Sequence, residues 1–288
     1  MKVKGVDLSK HNGSIKIADV KKVGFEFAIL RGGYTGYGSK RPKVKDPLFE
    51  EYYKQAKKID FPVGCYYYSC ATSKQGGIHE AEFLYENCLK GKQFEYPIYI
   101  DVEESRWQAD NKKGVTDAII GFCETLEGKG YYVGIYASKD WFYNKLDTER
   151  LKSYDKWVAA WRSESPEFKY PGFTMWQNSD NGRVGSYRVD TNIAYCDFPA
   201  IIKKKGLNGF KKTSHEIISK PENKVTYFKK YTGKSVSFVD ALKAIGINSS
   251  FSYRKKIAKA NGIKVYIGSA AQNTKLLNLL KAGKLIKP

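Results

Sequence analysis

The sequence predicts an α/β protein, an irregular or incomplete TIM-like (β/α) barrel, followed by a small all-α domain of three helices. Segments rich in Val, Ile, Tyr and Phe alternate with amphipathic segments up to about residue 151, and strand-like segments then follow one another closely. Charge divides the chain, because residues 1–202 hold 30 Lys and Arg against 27 Asp and Glu, whereas residues 203–288 hold 20 against 3. The first part is near neutral and the second strongly basic.

The barrel prediction depends on eight strand-like segments and on the helical spacing between several of them. Residues 46–59 and 115–128 carry apolar side chains at the spacing of one helix face. The eight segments are GVDLS (5–9), FEFAILRGG (25–33), PVGCYYYS (62–69), YPIYIDVE (96–103), YYVGIYAS (131–138), KWVAAW (156–161), FTMWQ (173–177) and YRVDTNIA (187–194). A repeated strand-then-helix order is typical of a parallel barrel, so residues 1–202 are predicted to form one.

The basic part is predicted to begin with a linker, residues 203–224, and to continue as a helical domain, residues 225–288. Ser237 and Ser269 each stand three residues before a residue that completes capping-box spacing, and Gly246 and Gly262 stand where helices would end. A small core can be drawn from Ile245, Ile257, Leu276, Leu277 and Leu280. The spacing predicts three short helices.

Composition limits the cellular setting. The first residues, MKVKGVDLSK, place single apolar residues between polar ones, so we expect no signal peptide, no membrane insertion and synthesis in the cytoplasm. The five cysteines are odd in number and lack CxxC spacing, which favours free buried thiols over a disulfide framework. They are Cys65, Cys70, Cys88, Cys123 and Cys196.

Polar and aromatic residues stand near the ends of all eight predicted strands. In a βα barrel these ends converge on one rim, where active sites are built from several strands. Each residue alone has a plainer explanation, as a core aromatic or a turn cap, but four carboxylates beside one obvious arginine favour a functional site. The candidates are Asp7, Arg31, Tyr66, Tyr68, Asp101, Glu103, Tyr136, Trp161, Trp176, Gln177 and Asp190.

Asp101 and Glu103 suggest acid catalysis. Residues i and i+2 of a strand point to one face about 6.6 Å apart, so both carboxylates are expected in one pocket. Two carboxylates in a desolvated pocket cannot both ionise cheaply, and one should keep its proton near neutral pH. A protonated acid beside a carboxylate is the arrangement that glycosidic bond cleavage uses, and the nearby Tyr and Trp rings could stack on sugars.

Other chemistries fit the sequence less well. His11, His79 and His215 lack the paired spacing of zinc ligands, IYASKDW lacks the glycines of a nucleophile elbow, and GGYTGYGSKRPKVKD does not match the phosphate-binding glycine motifs. We expect no cofactor. A Mg²⁺ or Ca²⁺ site built from Asp7, Asp101, Glu103 and Asp190, serving a metal-dependent hydrolase, remains an alternative.

The motifs together resemble a known family. GVDLSKHNG, PVGCYYYS, YPIYIDVEES, GIYAS, WVAAW and MWQNSDNGRVGSYRVDTN occur in the order and spacing of glycoside hydrolase family 25, the muramidases that include many phage lysozymes. The resemblance covers residues 3 to about 200. It implies hydrolysis of the β-1,4 bond between N-acetylmuramic acid and N-acetylglucosamine in bacterial peptidoglycan.

The resemblance also implies roles for the site residues. Glu103 matches the proton donor, Asp101 its partner carboxylate, and Asp7 and Asp190 the carboxylates of the first and last strands. Because Asp101 is poorly placed to attack the opposite face of the sugar, we expect the substrate's 2-acetamido group to attack with retention, oriented by Asp101. The predicted substrate-binding residues are Arg31, Tyr66, Tyr68, Tyr136, Trp161, Trp176 and Gln177.

The basic domain admits three interpretations: a solubilising bundle, a DNA-binding three-helix unit, or an anchor for the anionic polymers of Gram-positive walls. Beside a muramidase the anchor is the most economical, and no nucleic acid is expected. The sequence therefore predicts a phage endolysin, or a related prophage or bacterial autolysin. It would be made in the host cytoplasm and reach the wall after holin-mediated release or lysis. A non-catalytic glycan-binding protein is the alternative of another class.

Overall fold

The computed structural model describes residues 2–38, 40–161, 168–212, 226–263 and 266–288. The chain divides into two compact units, Met1–Ser214 and His215–Pro288. Nine strands occur in the described part of the first unit. They are β1 Val3–Leu8, β2 Phe27–Thr35, β3 Lys43–Lys45, β4 Val63–Tyr68, β5 Ile98–Asp101, β6 Val133–Ser138, β7 Asp155–Ala159, β8 Phe173–Val184 and β9 Tyr187–Ala194.

Eight of these strands form a closed barrel. The pairing runs β1-β2-β4-β5-β6-β7-β8 in parallel, and β9 joins β8 to β1 with antiparallel pairing on both sides. All eight predicted strands are present, and the mixed α/β class is confirmed. The sequence left open whether the barrel is irregular or incomplete, and the structure shows the first: its last third is irregular, but the barrel is closed. The short strand β3 lies within the segment GGYTGYGSKRPKVKD and corresponds to none of the eight predicted strands.

Five α-helices are described in the first unit: α1 Ile17–Lys22, α2 Phe49–Lys58, α3 Lys74–Leu84, α4 Lys112–Gly128 and α5 Phe198–Lys205. Their starts follow capping chemistry, since the side chains of Ser73, Asn111 and Asp197 accept backbone N–H groups at the first turns of α3, α4 and α5. The helices α1 to α4 bury apolar residues in a cluster with one face of the strands. The predicted helical segments 46–59 and 115–128 are therefore confirmed, as α2 and α4.

A second apolar cluster includes residues of the opposite strand face, among them Phe27, Tyr99, Trp157 and Met175. Glycines make room for its rings. A Cβ at Gly5 would lie 2.4 Å from the Phe27 ring, and one at Gly134 would lie 2.5 Å from the Tyr99 ring. Close packing of this kind leaves no space for a methyl group, so these positions require glycine.

The first unit extends beyond residue 202. Helix α5 runs to Lys205, and Asn208 is buried with its side-chain amide donating to the carbonyls of Phe94 and Tyr96 at 3.1 and 2.8 Å. Its Oδ1 accepts the Tyr132 N–H at 2.7 Å. These bonds fold residues 203–212 onto the barrel, so this part of the predicted linker is structured. The rest of that segment, 213–224, lies outside the described residues.

The described part of the second unit contains three helices, α6 Phe238–Ala244, α7 Phe251–Ala260 and α8 Ala270–Ala282. Ser237, Ser250 and Ser269 cap them, and Ser269 with Gln272 forms a complete capping box. The buried residues form their own core, which holds Phe228, Tyr231, Phe238, Ala241, Leu242, Ile257, Ala258, Tyr266, Leu276, Leu277, Leu280 and Leu285. None of the helices in the described ranges is long and apolar enough to cross a membrane.

Candidate active site

Two connected cavities lie at the rim where the parallel strands end. The larger has a volume of about 770 Å³ and the smaller, which shares five lining residues with it, about 60 Å³. The shared residues are Asp7, Tyr66, Asp101, Glu103 and Asp190. All four carboxylates predicted from the sequence therefore face one space.

Strand register explains how distant residues meet there. Asp7 in β1 is the direct partner of Asp190 in β9, and opposite residues of an antiparallel pair point to the same face. Asp101 is the last residue of β5, between Tyr68 of β4 and Tyr136 of β6. Glu103 lies two residues beyond the strand end, not within the strand, yet it lines both cavities with Asp101.

Asp7 is held by two amide side chains. Gln177 Nε2 and Asn192 Nδ2 donate to its Oδ2 at 3.0 and 2.9 Å. Burial raises the pKa of Asp7 from 3.8 to about 6, against the lowering effect of these two hydrogen bonds. The carboxyl group therefore gains and loses its proton close to neutral pH.

Aromatic side chains fix both amides. Tyr136 Oη and Trp161 Nε1 each donate to Gln177 Oε1 at 2.9 Å, and Trp157 Nε1 donates to Asn192 Oδ1 at 2.8 Å. Because the amide oxygens are occupied as acceptors, each NH₂ group is turned toward Asp7. The two amides, held by the aromatic side chains, thus fix the position of the Asp7 carboxylate.

Asp101 forms the buried floor of the site. It is 3% exposed, and its Oδ1 has no hydrogen-bond partner within the described part of the chain. Burial raises the pKa of Asp101 well above 3.8, and the charges of Glu103 and Asp7 raise it further while Arg31 opposes them. A buried, unpaired carboxyl oxygen facing a cavity is costly, and such atoms commonly have a function.

Glu103 is the accessible member of the group. Its side chain is solvent-exposed by area, but it lies in a concave space where neighbouring atoms exclude much of the bulk water. Partial desolvation raises the pKa of Glu103 above 4.5, and Asp190 and Glu104 add to the effect. It can thus meet a substrate while keeping a proton better than an ordinary glutamate.

Asp190 completes the set from the β8–β9 hairpin. Desolvation first, and then Asp7 and Asp180, raise the pKa of Asp190 from 3.8 to about 7. Asp180 is itself paired with Arg188 at 2.6 Å, and both line the larger cavity. Mutually interacting carboxyl groups titrate as a set, and this set retains protons near neutral pH.

Arg31, the one arginine among the predicted site residues, pairs with a carboxylate outside the predicted set, that of Asp46. Its Nε donates to Asp46 Oδ2 at 2.7 Å in a buried ion pair, which gives the arginine its own counter-charge. The same Asp46 oxygen accepts the Lys10 N–H at 3.1 Å. Arg31 still lines the larger cavity, so it remains available to a ligand there.

The chain matches a known protein family. The sequence profile of glycosyl hydrolases family 25 matches residues 6–187. This chain belongs to glycosyl hydrolase family 25. The resemblance inferred from the motifs is thereby confirmed, and with it the assignment to a family of lysozymes, which hydrolyse peptidoglycan.

Relatives of the family 25 chain match very different lengths of it. A probable GH family 25 lysozyme 4 of Dictyostelium discoideum is 24% identical over 177 residues, 60% of this chain and 78% of that protein. An L-alanyl-D-glutamate peptidase of Listeria phage A118 is 52% identical over only 50 residues, 17% of this chain and 18% of the phage protein. The second match is therefore confined to a short segment.

Solved structures share the fold of this family 25 chain. The bacterial lysozyme from Streptomyces coelicolor aligns with a TM-score of 0.59 and 24% identity over 73% of this chain and 97% of that one. The catalytic domain of endolysin ply40, from bacteriophage P40 of Listeria monocytogenes, aligns with a TM-score of 0.56 and 23% identity over 72% and 98%. Identities this low establish the fold alone.

The predicted aromatic residues of the family 25 site divide into three groups. Tyr66, Tyr68 and Trp161 line the larger cavity, and Tyr136 lines the smaller one together with Gln177. Trp176 lines neither: it is buried and donates its Nε1–H to the Ala160 carbonyl at 3.0 Å. Its predicted place in the groove is therefore corrected, and Trp157, which the sequence reading left out, lines the smaller cavity instead.

Further lining residues of the larger cavity were not predicted. They come from the turn after β1, from the end of β2 and from the β8–β9 hairpin, and include Lys10, His11, Tyr34, Tyr37, Asp180 and Arg188. No sequence motif separates these loop residues from ordinary surface ones. Across the described ranges, no group of three or more His, Cys, Asp or Glu side chains is arranged to hold a metal ion.

Proposed function

We propose that this family 25 chain is an N-acetylmuramidase that cleaves the β-1,4 bond between N-acetylmuramic acid and N-acetylglucosamine. The observation that carries the proposal is the meeting of Asp7, Asp101, Glu103 and Asp190 in one cavity, each with a raised pKa. A set of carboxyl groups that retains protons at neutral pH supplies both an acid and a negative group beside a sugar.

Glu103 is the proposed proton donor. Of the four carboxyl groups it is the exposed one, so a glycosidic oxygen entering from the larger cavity can reach it. Its raised pKa keeps more of it protonated, and protonation of the leaving oxygen typically contributes about 10²- to 10⁴-fold to the rate.

Asp101 is the proposed partner of the substrate's 2-acetamido group. It lies at the cavity floor with an unpaired Oδ1, which can accept the acetamido N–H as the carbonyl oxygen of that group attacks the anomeric carbon. The cyclic intermediate would then be opened by water, with net retention. Asp7, fixed by Gln177 and Asn192, supplies negative charge for the oxocarbenium-like transition state.

We further propose that the chain acts as a phage endolysin on Gram-positive walls. The short match to the L-alanyl-D-glutamate peptidase of Listeria phage A118 supports this, because that relative is a phage enzyme. The peptidase and this glycosyl hydrolase family member cleave different kinds of bond. The simplest explanation of the shared segment is therefore that it belongs to a module other than the catalytic domain. The protein would be made in the host cytoplasm and meet the wall after holin-mediated release or lysis.

The second unit is the proposed wall anchor. Residues 226–288 hold 13 Lys and Arg against a single acid, Asp240. Apolar side chains are also exposed there, with Phe251 at 50% and Ile267 at 71%. A basic surface with exposed apolar groups suits an anionic wall polymer, and attachment would raise the local enzyme concentration without changing the active site.

Product analysis tests the muramidase proposal. Peptidoglycan digested by the full chain should yield new reducing ends on N-acetylmuramic acid, detected by borohydride reduction and mass spectrometry. Reducing ends on N-acetylglucosamine, or free L-alanine amino termini, would contradict the proposed bond. Binding of glycan without any product would favour the non-catalytic alternative.

A fluorescent fusion of residues 213–288 tests the anchor. It should bind Gram-positive walls at 0.05 M salt, and a wall-specific fraction should remain above about 0.15 M, where the Debye length is roughly 8 Å. Walls stripped of their anionic polymers should bind less. Binding to duplex DNA but to no wall would overturn the proposal.

A further inference from the structure

Two arginines lie on aromatic rings beside the larger cavity. The Arg41 guanidinium carbon is 4.3 Å from the Trp107 ring centre, and the Arg106 carbon is 4.8 Å from that of Tyr37. The two rings are themselves 5.9 Å apart. Residues Tyr37, Arg41, Arg106 and Trp107 thus form one continuous group, here named the aromatic–arginine cluster.

These guanidinium groups lack the counter-charge that three other arginines have. Arg31, Arg150 and Arg188 each pair with an aspartate at 2.6 to 2.7 Å. Within the described ranges, the guanidinium of Arg41 has only the Cys70 carbonyl at 3.4 Å and that of Arg106 no hydrogen-bond acceptor. Stacking holds both groups in place while their N–H donors stay free for an anion.

The cluster is attached rigidly to the active site. Glu104, which is buried, accepts the Tyr68 hydroxyl at 2.9 Å through one oxygen and the Arg106 backbone N–H at 2.9 Å through the other. Tyr68 and Tyr37 have their hydroxyl oxygens 3.4 Å apart, and both line the larger cavity. Because Glu104 follows Glu103 directly, the cluster has a fixed place relative to the proposed acid.

A ligand for this surface needs a flat or apolar part and a negative group. Tyr37 is 57% exposed and Trp107 half-buried, so both rings can be contacted. Sugar hydroxyls can accept hydrogen bonds from guanidinium groups but bring no negative charge, whereas carboxylates match both the charge and the fork geometry of these groups. Peptide branches on the glycan carry such carboxylates beside the sugar ring.

We propose that the aromatic–arginine cluster binds a carboxylate of the peptide branch on a sugar next to the cleaved bond, and so makes the enzyme prefer peptide-bearing glycan over bare glycan. The proposal rests on the muramidase function proposed above. It gives Arg41 and Arg106 a role in substrate selection, outside the residues that line the catalytic cavity.

The test compares two soluble substrates, glycan chains with their peptides and the same chains stripped of peptides by an amidase, with the lactyl carboxyl groups that the amidase frees converted to amides. With the full chain, Arg41→Gln and Arg106→Gln should each raise KM for the peptide-bearing substrate about 5-fold, and the double variant about 20-fold or more, with kcat within about 2-fold. KM and kcat on stripped glycan should not change, which also shows that the variants fold. Arg150→Gln removes a charge outside the cavity and serves as the matched control.

A third substrate separates the carboxylate from the rest of the peptide. Amidation of the branch carboxyl groups should raise KM of the unsubstituted enzyme to the level of the double variant, and Arg41→Lys with Arg106→Lys should recover part of the loss. Equal effects of the Gln variants on bare and peptide-bearing glycan, or no effect on either, would overturn the proposal. Failure of the unsubstituted enzyme to cleave any of the three substrates would instead refute the muramidase function on which it rests.

Discussion

Replacement of Asp7 by Asn should make the protein more stable at alkaline pH while reducing its activity. Asp7 is 7% exposed, and burial raises its pKa from 3.8 to about 6. For a carboxyl group whose folded pKa is raised, the favourable contribution is fully present below the unfolded pKa and is lost as pH rises through the folded value. The ionised carboxylate therefore destabilises the folded state at the neutral pH where the enzyme would work.

The size of the effect follows from the two pKa values. A rise from 3.8 to about 6 corresponds to about 3 kcal/mol of unfavourable free energy for ionised Asp7 above pH 7. An Asn at this position keeps an oxygen that can accept from Gln177 and Asn192, but carries no charge. The charge of Asp7 also raises the pKa values of Asp101 and Asp190. Its removal lowers both pKa values, which also makes the variant more stable at alkaline pH.

Urea unfolding followed by tryptophan fluorescence measures this in the full chain, since all five tryptophans lie in the first unit. Asp7→Asn should be close to the unsubstituted protein at pH 4 and about 3 kcal/mol more stable at pH 8. Asp117→Asn is a control of opposite sign, because Lys113 and Arg150 lower the pKa of Asp117. A difference for Asp7→Asn that is the same at both pH values, or a less stable variant at pH 8, would refute the reasoning.

Three further predictions concern the proton donor, the barrel and metals. Asp190→Asn removes a charge that raises the pKa of Glu103, so the alkaline limb of the pH–activity curve should move to lower pH; an unmoved or higher limb would contradict the assigned coupling. Lys156→Met should lower the free energy of unfolding by about 2–4 kcal/mol, because the buried ammonium donates to three backbone carbonyls at 2.7 to 3.1 Å; a urea midpoint within error of the original would show that these bonds contribute little. Activity should survive exhaustive EDTA treatment, and loss of activity with rescue by Mg²⁺ or Ca²⁺ would favour the carboxylate–metal alternative.

The sequence predicted the parts of the fold that repeat a local pattern. All eight barrel strands and the helices over 46–59 and 115–128 follow from apolar periodicity, and the caps of α6 and α8 follow from the spacing after Ser237 and Ser269. It could not predict that the barrel closes, because closure depends on β9 pairing antiparallel with both β8 and β1. Nor could it place Asn208, whose partners are more than 70 residues away along the chain.

The carboxylates of the site were predictable because strand ends converge on one rim. The aromatic residues that line the cavities were harder to predict. Successive residues of a strand point to opposite faces, so an aromatic residue near a strand end can point away from the cavity. Gln177 contacts Asp7, so its neighbour Trp176 must point away from the cavity. The ion pair of Arg31 with Asp46 could not be predicted either. Asp46 directly follows β3, a strand of three residues that is too short to be recognised from apolar periodicity.

The central claim is that Glu103 protonates the leaving oxygen, and the leaving-group dependence of Glu103→Gln tests it most directly. The folded variant should lose about 10²- to 10⁴-fold in kcat/KM on natural glycan. On an aryl glycoside of the same sugar, whose phenolate departs without a proton, the loss should be far smaller. A comparable loss on both substrates, or near-normal cleavage of natural glycan by Glu103→Gln, would contradict the assignment of Glu103 as the acid.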